Sequence, residues 1–250
     1  MLRQEYLRRL IDEAHVELYL SANDGARIYW PWRMQPPKEA RKAYRDACER
    51  YIIDSDPLDD AVTAQDVLDC ADKVNAEVAS LQDVYQDKSA TVDSLLRGLE
   101  IADDHDFDGD LLLPLQQPYN ECYVELGEPA HLIGLGGLKD GTPFERIDAA
   151  RSFRREFGTE PWLHGFGWGV SGELSKAIRQ EPTLLNSVDY STPVQNAINS
   201  VELPGDERMS IQAMYAATRL VEDLRSVTPN ISDDPLDSRE TGQSGLEMLQ

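Results

Sequence analysis

Eight residues spread along this 250-residue chain have types and settings suited to one shared piece of chemistry: Asp54, Ser55, Asp83, Gln116, Gly136, Gly137, His164 and Asp189. Asp189 is the one around which the others are arranged. It follows the apolar lead-in Leu184-Leu185-Asn186-Ser187-Val188 and precedes Tyr190-Ser191-Thr192-Pro193 and the pair Asn196-Ala197. Core packing explains such a carboxylate poorly, because burying one unpaired is expensive. A carboxylate at a strand mouth reads better as a group delivered to a cleft. Carboxylates with an amide suit the donor edge of a purine-like heterocycle, and glycines let a flat ligand approach the backbone.

The elements that position these residues show a repeating rhythm. Short apolar, β-rich runs end on polar loops and are followed by stretches with helical spacing. The expected strands are residues 16–22, 51–53, 77–81, 111–115, 131–135, 162–166 and 184–188, each ending on or beside one of the eight residues or on Asn23. Helices are expected over residues 2–14, 38–50, 63–74, 89–102, 122–126, 142–157 and from Ser171 onward, with a strongly amphipathic closing helix over 207–225. Strand, polar loop and helix in alternation argue for a parallel sheet, and seven or eight such units over this length argue for a (β/α)8 barrel. The eighth strand is the irregular or missing one, with residues 199–203 as its candidate. The aromatic patch at Tyr29, Trp30 and Trp32 reads as rim packing. Residues 1–228 form the barrel domain, and 229–250, rich in Ser, Asp, Pro, Gly and Glu, read as an acidic disordered tail.

Composition narrows the setting. The net charge is -22, with 46 acidic residues against 24 Lys and Arg. Such an excess ordinarily disfavours a phosphate-backbone partner. It also matches proteins of a high-salt cytoplasm, where the Debye length falls to about 3 Å and distant charges barely repel a polyanion. Nucleic acid therefore stays open as a partner. Cys48, Cys70 and Cys122 are odd in number and have no Cys-x-x-Cys spacing, so neither a disulfide framework nor a zinc site is expected. No leader-like segment or bilayer-length apolar run is seen, and a cytoplasmic protein is expected. No Walker-type or dinucleotide fingerprint is present, and the Gly-Leu-Gly-Gly at 134–137 lacks the phosphate-binding Lys. Asp103-Asp104-His105-Asp106 reads as a solvated acidic helix end.

Six of these segments, in chain order, resemble the tRNA-guanine transglycosylase family. The segment Val188-Asp189-Tyr190-Ser191-Thr192-Pro193-Val194-Gln195-Asn196-Ala197 is similar to the family's Phe-Asp-Cys-Val-Leu-Pro-Thr-Arg-Asn-Ala. Leu135-Gly136-Gly137-Leu138 is similar to Ile-Gly-Gly-Leu, Leu163-His164-Gly165-Phe166-Gly167 to Leu-Met-Gly-Val-Gly, and Leu115-Gln116 to the start of Val-Gln-Gly-Gly. Asp54-Ser55 stands where the family has the first two residues of Asp-Ser-Gly-Gly-Phe-Gln, and Gln82-Asp83 where it has Phe-Asp.

The resemblance implies a barrel enzyme exchanging guanine in a nucleic acid, DNA ahead of tRNA, for a 7-deazaguanine of preQ0 or preQ1 type. Asp189 would attack the anomeric carbon as nucleophile, and Asp54 would be the general base, with Asp56 as its alternative. Ser55, Asp83, Gln116, Gly136, Gly137 and His164 would hold the base, taken out of its stack. No cofactor is implied. The family's Cys-x-Cys-x-x-Cys with a downstream His is absent, so no metal is implied either. Compact relatives of this kind include phage and viral enzymes. A homodimer, a base-releasing N-glycosidase and a catalytically silent partner subunit are the further expectations carried forward.

Overall fold

The computed structural model describes residues 2–21, 30–56, 61–129, 131–200 and 207–228. In chain order the elements are α1 (Leu2–Glu13), β1 (Glu17–Leu20), β2 (Trp32–Gln35), α2 (Lys42–Arg45), β3 (Arg50–Ile53), α3 (Ala64–Val74), β4 (Val78–Ser80), α4 (Lys88–Asp104), β5 (Asp110–Leu115), α5 (Tyr119–Glu125), β6 (Leu132–Leu135), α6 (Pro143–Phe157), β7 (Leu163–Gly165), α7 (Gly172–Gln180), β8 (Ser187–Tyr190), α8 (Thr192–Ser200) and α9 (Glu207–Val227). The eight strands pair in sequence order, all parallel, and close into a barrel. This is the (β/α)8 fold expected from the alternation.

Local chemistry starts and stops the helices. Thr63 and Thr142 each close a capping box, with Asp66 and Glu145 respectively, and Pro143 sits at the first helical position of α6. Asp87 and Ser171 cap α4 and α7 through their side-chain oxygens. Asn75 ends α3 in the left-handed conformation, a role Asn tolerates well. His105 ends α4 and bonds Asp69 at 2.9 Å. The acidic run at 103–106 is thus part of a helix end, as expected.

Two expectations about the strands are corrected. Residues 32–35 form β2, where rim packing and then a helix from residue 38 were expected. Helix α2 spans only Lys42–Arg45. The sequence disguises this strand because every position in Trp32-Arg33-Met34-Gln35 is buried, polar ones included. Trp32 and Met34 join the main hydrophobic cluster. Gln35 accepts a hydrogen bond from the Tyr51 hydroxyl at 2.7 Å, and the Arg33 guanidinium lies over the Tyr44 ring at 4.8 Å. Burial of the polar side chains along with the apolar ones removes the alternation on which sequence reading depends.

With β2 counted, the eighth strand is the one carrying Asp189. It pairs with β1 to close the barrel, Glu17 opposite Ser187 and Tyr19 opposite Asp189. The candidate at 199–203 is not a strand as far as it is described: Asn199 and Ser200 end α8, and the rest lies outside the described residues. The proposed tail at 229–250 also lies outside them.

The N-terminal floor of the barrel is sealed by charge. Arg50 reaches Glu17 and Asp110 at 3.5 Å each and stacks over Trp162 at 5.2 Å. The Tyr19 hydroxyl donates to Glu17 at 2.8 Å. The floor is thus closed by a network that has found its partners, and the opposite end carries the loops. Among the described residues no helix is long and apolar enough to cross a membrane.

Candidate active site at the C-terminal mouth of the barrel

Parallel strands deliver their C-terminal residues to one face, and that face is where such barrels place their chemistry. The structure brings seven of the eight residues expected from the sequence to it and buries the eighth, His164, beneath it within β7, where it cannot hold a ligand as expected. Three carboxylates form its inner surface: Asp54 just past β3, Asp83 past β4, and Asp189 on β8.

Asp54 is placed by its own N–H, which donates to the Gln35 carbonyl of β2 at 2.9 Å. Its Oδ1 is buried and has no hydrogen-bond partner. Burial pushes its carboxyl up to about 8, helped by the charges of Asp189, Asp83 and Asp56, while the Ser55 N–H pulls in the opposite direction. The Ser55 side chain is buried behind it. Asp56, the alternative base, is held away in an ion pair with Lys38 at 2.6 Å. Lys38 was not among the residues singled out from the sequence. Reading Trp32–Gln35 as a strand would have found it, because Pro36-Pro37 then mark the strand end and Lys38 falls in the following loop at the mouth.

Asp83 is held from behind by Gln116. The Gln116 Nε2 donates to Asp83 Oδ2, and its Oε1 accepts from the Gln86 N–H at 3.1 Å. Burial raises the Asp83 carboxyl to about 6, with the Gln116 amide working against the rise. Gln116 is only 1% exposed, so its amide is spent on positioning. The glycines serve the same end. A Cβ on Gly136 would lie 2.6 Å from Gln116 Nε2, and one on Gly137 would lie 2.4 Å from Oε1. They leave room for an amide of the protein itself, which corrects the expectation that they admit a flat ligand.

Gly137 also has φ +75, a left-handed conformation that side chains disfavour. We expect Gly137→Ala to displace Gln116 and cost about 1–3 kcal/mol. Thermal unfolding would show this as a fall in Tm of several degrees. An unchanged Tm would mean that Gln116 is not wedged against the β6 loop.

On the far side of the barrel, Asp189 Oδ1 accepts from the Gly167 N–H at 2.6 Å and lies 3.2 Å from His164 Nε2. Gly167 meets it with φ +65. His164 is fully buried beneath Asp189. Ser187, two residues before Asp189 on the same strand face, lies against the other ring nitrogen. That i, i+2 relation was available in the sequence and was not used.

A groove of about 980 Å³ lies outside the barrel between α5 and α6, lined by Glu121, Glu125, Glu145, Asp148 and Glu156 among others. The mouth is the better candidate, because the carboxyls displaced from their ordinary range converge there.

At neutral pH this arrangement holds a protonated carboxyl, Asp54, facing a cluster in which Asp83 is mostly ionised. Carboxyls of one site separated in this way can serve as acid and base in the same reaction.

Fold and site together define a (β/α)8 barrel with three carboxyl side chains gathered at its C-terminal mouth. Neither a protein-family model nor a curated protein sequence matches the chain. Solved structures share its fold. The YdjI aldolase from Escherichia coli K12 aligns with a TM-score of 0.61 at 10% identity, covering 89% of this chain and 95% of that one. A protein from Coccidioides immitis, provisionally described as a fructose-1,6-biphosphate aldolase, aligns at 0.61 and 12% identity, covering 89% and 94%.

These findings overturn the transglycosylase resemblance, and with it guanine exchange in DNA or tRNA, a 7-deazaguanine substrate and the glycosidase and silent-subunit variants. The neighbours are aldolase-like barrels. The physical reason is that all six matching segments sit at strand ends of a parallel barrel. Asp, Gln and Gly are favoured there by loop and packing geometry whatever the chemistry.

Proposed function

We propose that this chain is an enzyme of lyase type that makes or breaks a carbon–carbon bond beside a carbonyl, using Asp54 as acid and Asp189 as base. The observation that carries the reading is the gathering of three carboxyl side chains at the barrel mouth, with Asp54 Oδ1 buried and without a hydrogen-bond partner among them. The aldolase descriptions of structures with the same fold support it. In the cleavage direction, Asp189 takes the proton of the substrate's β-hydroxyl and the O–H electron pair forms the new aldehyde carbonyl. The carbon–carbon bond breaks, its electron pair passes into an enolate, and the enolate oxygen takes the proton of Asp54. After the aldehyde leaves, the proton on Asp189 returns to carbon and the enol proton returns to Asp54. Both groups end as they began.

The test is incubation of the chain with a panel of ketoses and ketose phosphates, following aldehyde release by proton NMR. Cleavage of at least one is expected. Its kcat/KM should fall as pH rises through about 8, where Asp54 loses its proton. No cleavage across the panel, or a rate that climbs steadily from pH 7 to 9.5, would overturn the reading.

A further inference from the structure

Beneath the mouth, three residues of two adjacent strands form a chain of hydrogen bonds that ends on Asp189. His164 on β7 and Ser187 on β8 are register partners, and both are fully buried. Ser187 Oγ lies 2.6 Å from His164 Nδ1, and His164 Nε2 lies 3.2 Å from Asp189 Oδ1. The imidazole is held on its other sides by aromatic rings. Trp162 stacks on it at 5.9 Å and 7°, Phe166 meets it edge-on at 4.7 Å, and Tyr19 at 5.9 Å. A ring so enclosed cannot flip or swing toward a substrate.

The direction of the bonds follows from what each group can do. An ionised carboxylate only accepts, so the nitrogen facing Asp189 carries the proton. With one proton on the ring, Nδ1 is then an acceptor, and the Ser187 hydroxyl must donate to it. Asp189 Oδ1 thus takes two N–H donors, from His164 and from Gly167, whereas among the described residues Oδ2 accepts none. The two oxygens of one carboxylate are made unequal by the fold.

We propose that His164 is a positioning residue that, oriented by Ser187, pins Asp189 through Oδ1 and leaves Oδ2 as the oxygen that exchanges protons with substrate. The charged and titratable groups facing this chain are Asp54, across the mouth from Asp189, and the floor network of Tyr19, Glu17 and Arg50 below the ring. The proposal rests on the lyase reading only in taking Asp189 as the base.

Long-range 1H–15N spectra of the imidazole test it without any substrate. In the unaltered chain we expect a single proton, on Nε2. In Ser187→Ala, which removes one oxygen atom and should keep the fold, the proton should stay on Nε2 opposite Asp189 while the Nδ1 resonance shifts, because that nitrogen loses the hydroxyl that donates to it. Where the chain turns over a ketose, Ser187→Ala should lower kcat about tenfold with KM within twofold, since misorienting a reacting group acts mainly on the transition state. His164→Gln, which keeps a donor on that side, should retain more of kcat than His164→Leu. A proton on Nδ1 in the unaltered chain, or on both nitrogens, overturns the proposal, as does an unchanged spectrum in Ser187→Ala. The spectra can fail while ketose cleavage stands, and the reverse, so the two ideas are separable.

Discussion

Asp189→Asn is expected to lower kcat of ketose cleavage by about a thousandfold, within the range typical for removal of a positioned general base. The change should leave the fold in place. The Asn amide oxygen can still accept from the Gly167 N–H at the position of Oδ1, where that bond is now 2.6 Å. It can also still accept from His164, so no buried donor is orphaned. What disappears is one negative charge and the oxygen that takes the hydroxyl proton in the proposed step. A second readout comes with it. The Asp189 charge is the largest of those that hold the Asp54 carboxyl up, after burial itself. Removing it should move the alkaline limb of any residual pH profile below about 8. Turnover in Asp189→Asn within tenfold of the unaltered chain would eliminate Asp189 as base.

The second large effect is on stability. In the folded chain Asp54 holds its proton up to about 8, against 3.8 for an ordinary Asp side chain. Between those values the native state keeps a proton that the unfolded chain has lost. Stability from this group is therefore complete below about pH 4 and falls as pH rises toward 8. Each tenfold difference in proton affinity is worth about 1.4 kcal/mol. Discounted for the solvent that reaches this half-buried group, Asp54→Asn should stabilise the chain by about 2–3 kcal/mol at pH 8.5, and by far less at pH 4.5. For a chain of this length, that is on the order of 5–10 °C in Tm at the higher pH. Thermal unfolding at the two pH values checks it. An equal effect at both, or a loss of stability at pH 8.5, would mean that Asp54 is not a buried proton-holding group. Loss of activity together with a gain in stability is the pattern of a catalytic residue kept at some cost to the fold.

The sequence and the structure diverge most usefully at Gln116, Gly136 and Gly137. Read along the chain, an amide and two glycines at strand ends suggest a pocket for a flat ligand. In three dimensions the amide is packed into the space the glycines leave, and its donor is used on Asp83. Residue types alone do not distinguish a group that touches a ligand from one that holds such a group. That distinction depends on burial, and burial depends on contacts between distant parts of the chain. The same holds for His164, whose position at a strand end was legible and whose place beneath Asp189 was not.

What the sequence by itself determined is the barrel and the gathering of Asp54, Asp83 and Asp189 at one end of it. Alternating apolar runs and capped helices recur with parallel-sheet spacing, and the period is a local property that side-chain patterning encodes directly. Asp54, Asp83 and Asp189 could be named because each follows an apolar run that ends on it or just before it. Only the tertiary structure decided the rest. It made the Asp189 segment the eighth strand by revealing β2, whose Arg33 and Gln35 are buried along with its apolar residues and so leave no alternating pattern to read. It separated Asp54 from Asp56 by the Lys38 ion pair, formed across 18 residues. It set the protonation of Asp54 through burial and through carboxylates delivered by other strands. Electrostatic energies depend on distances through space, which a linear pattern does not contain.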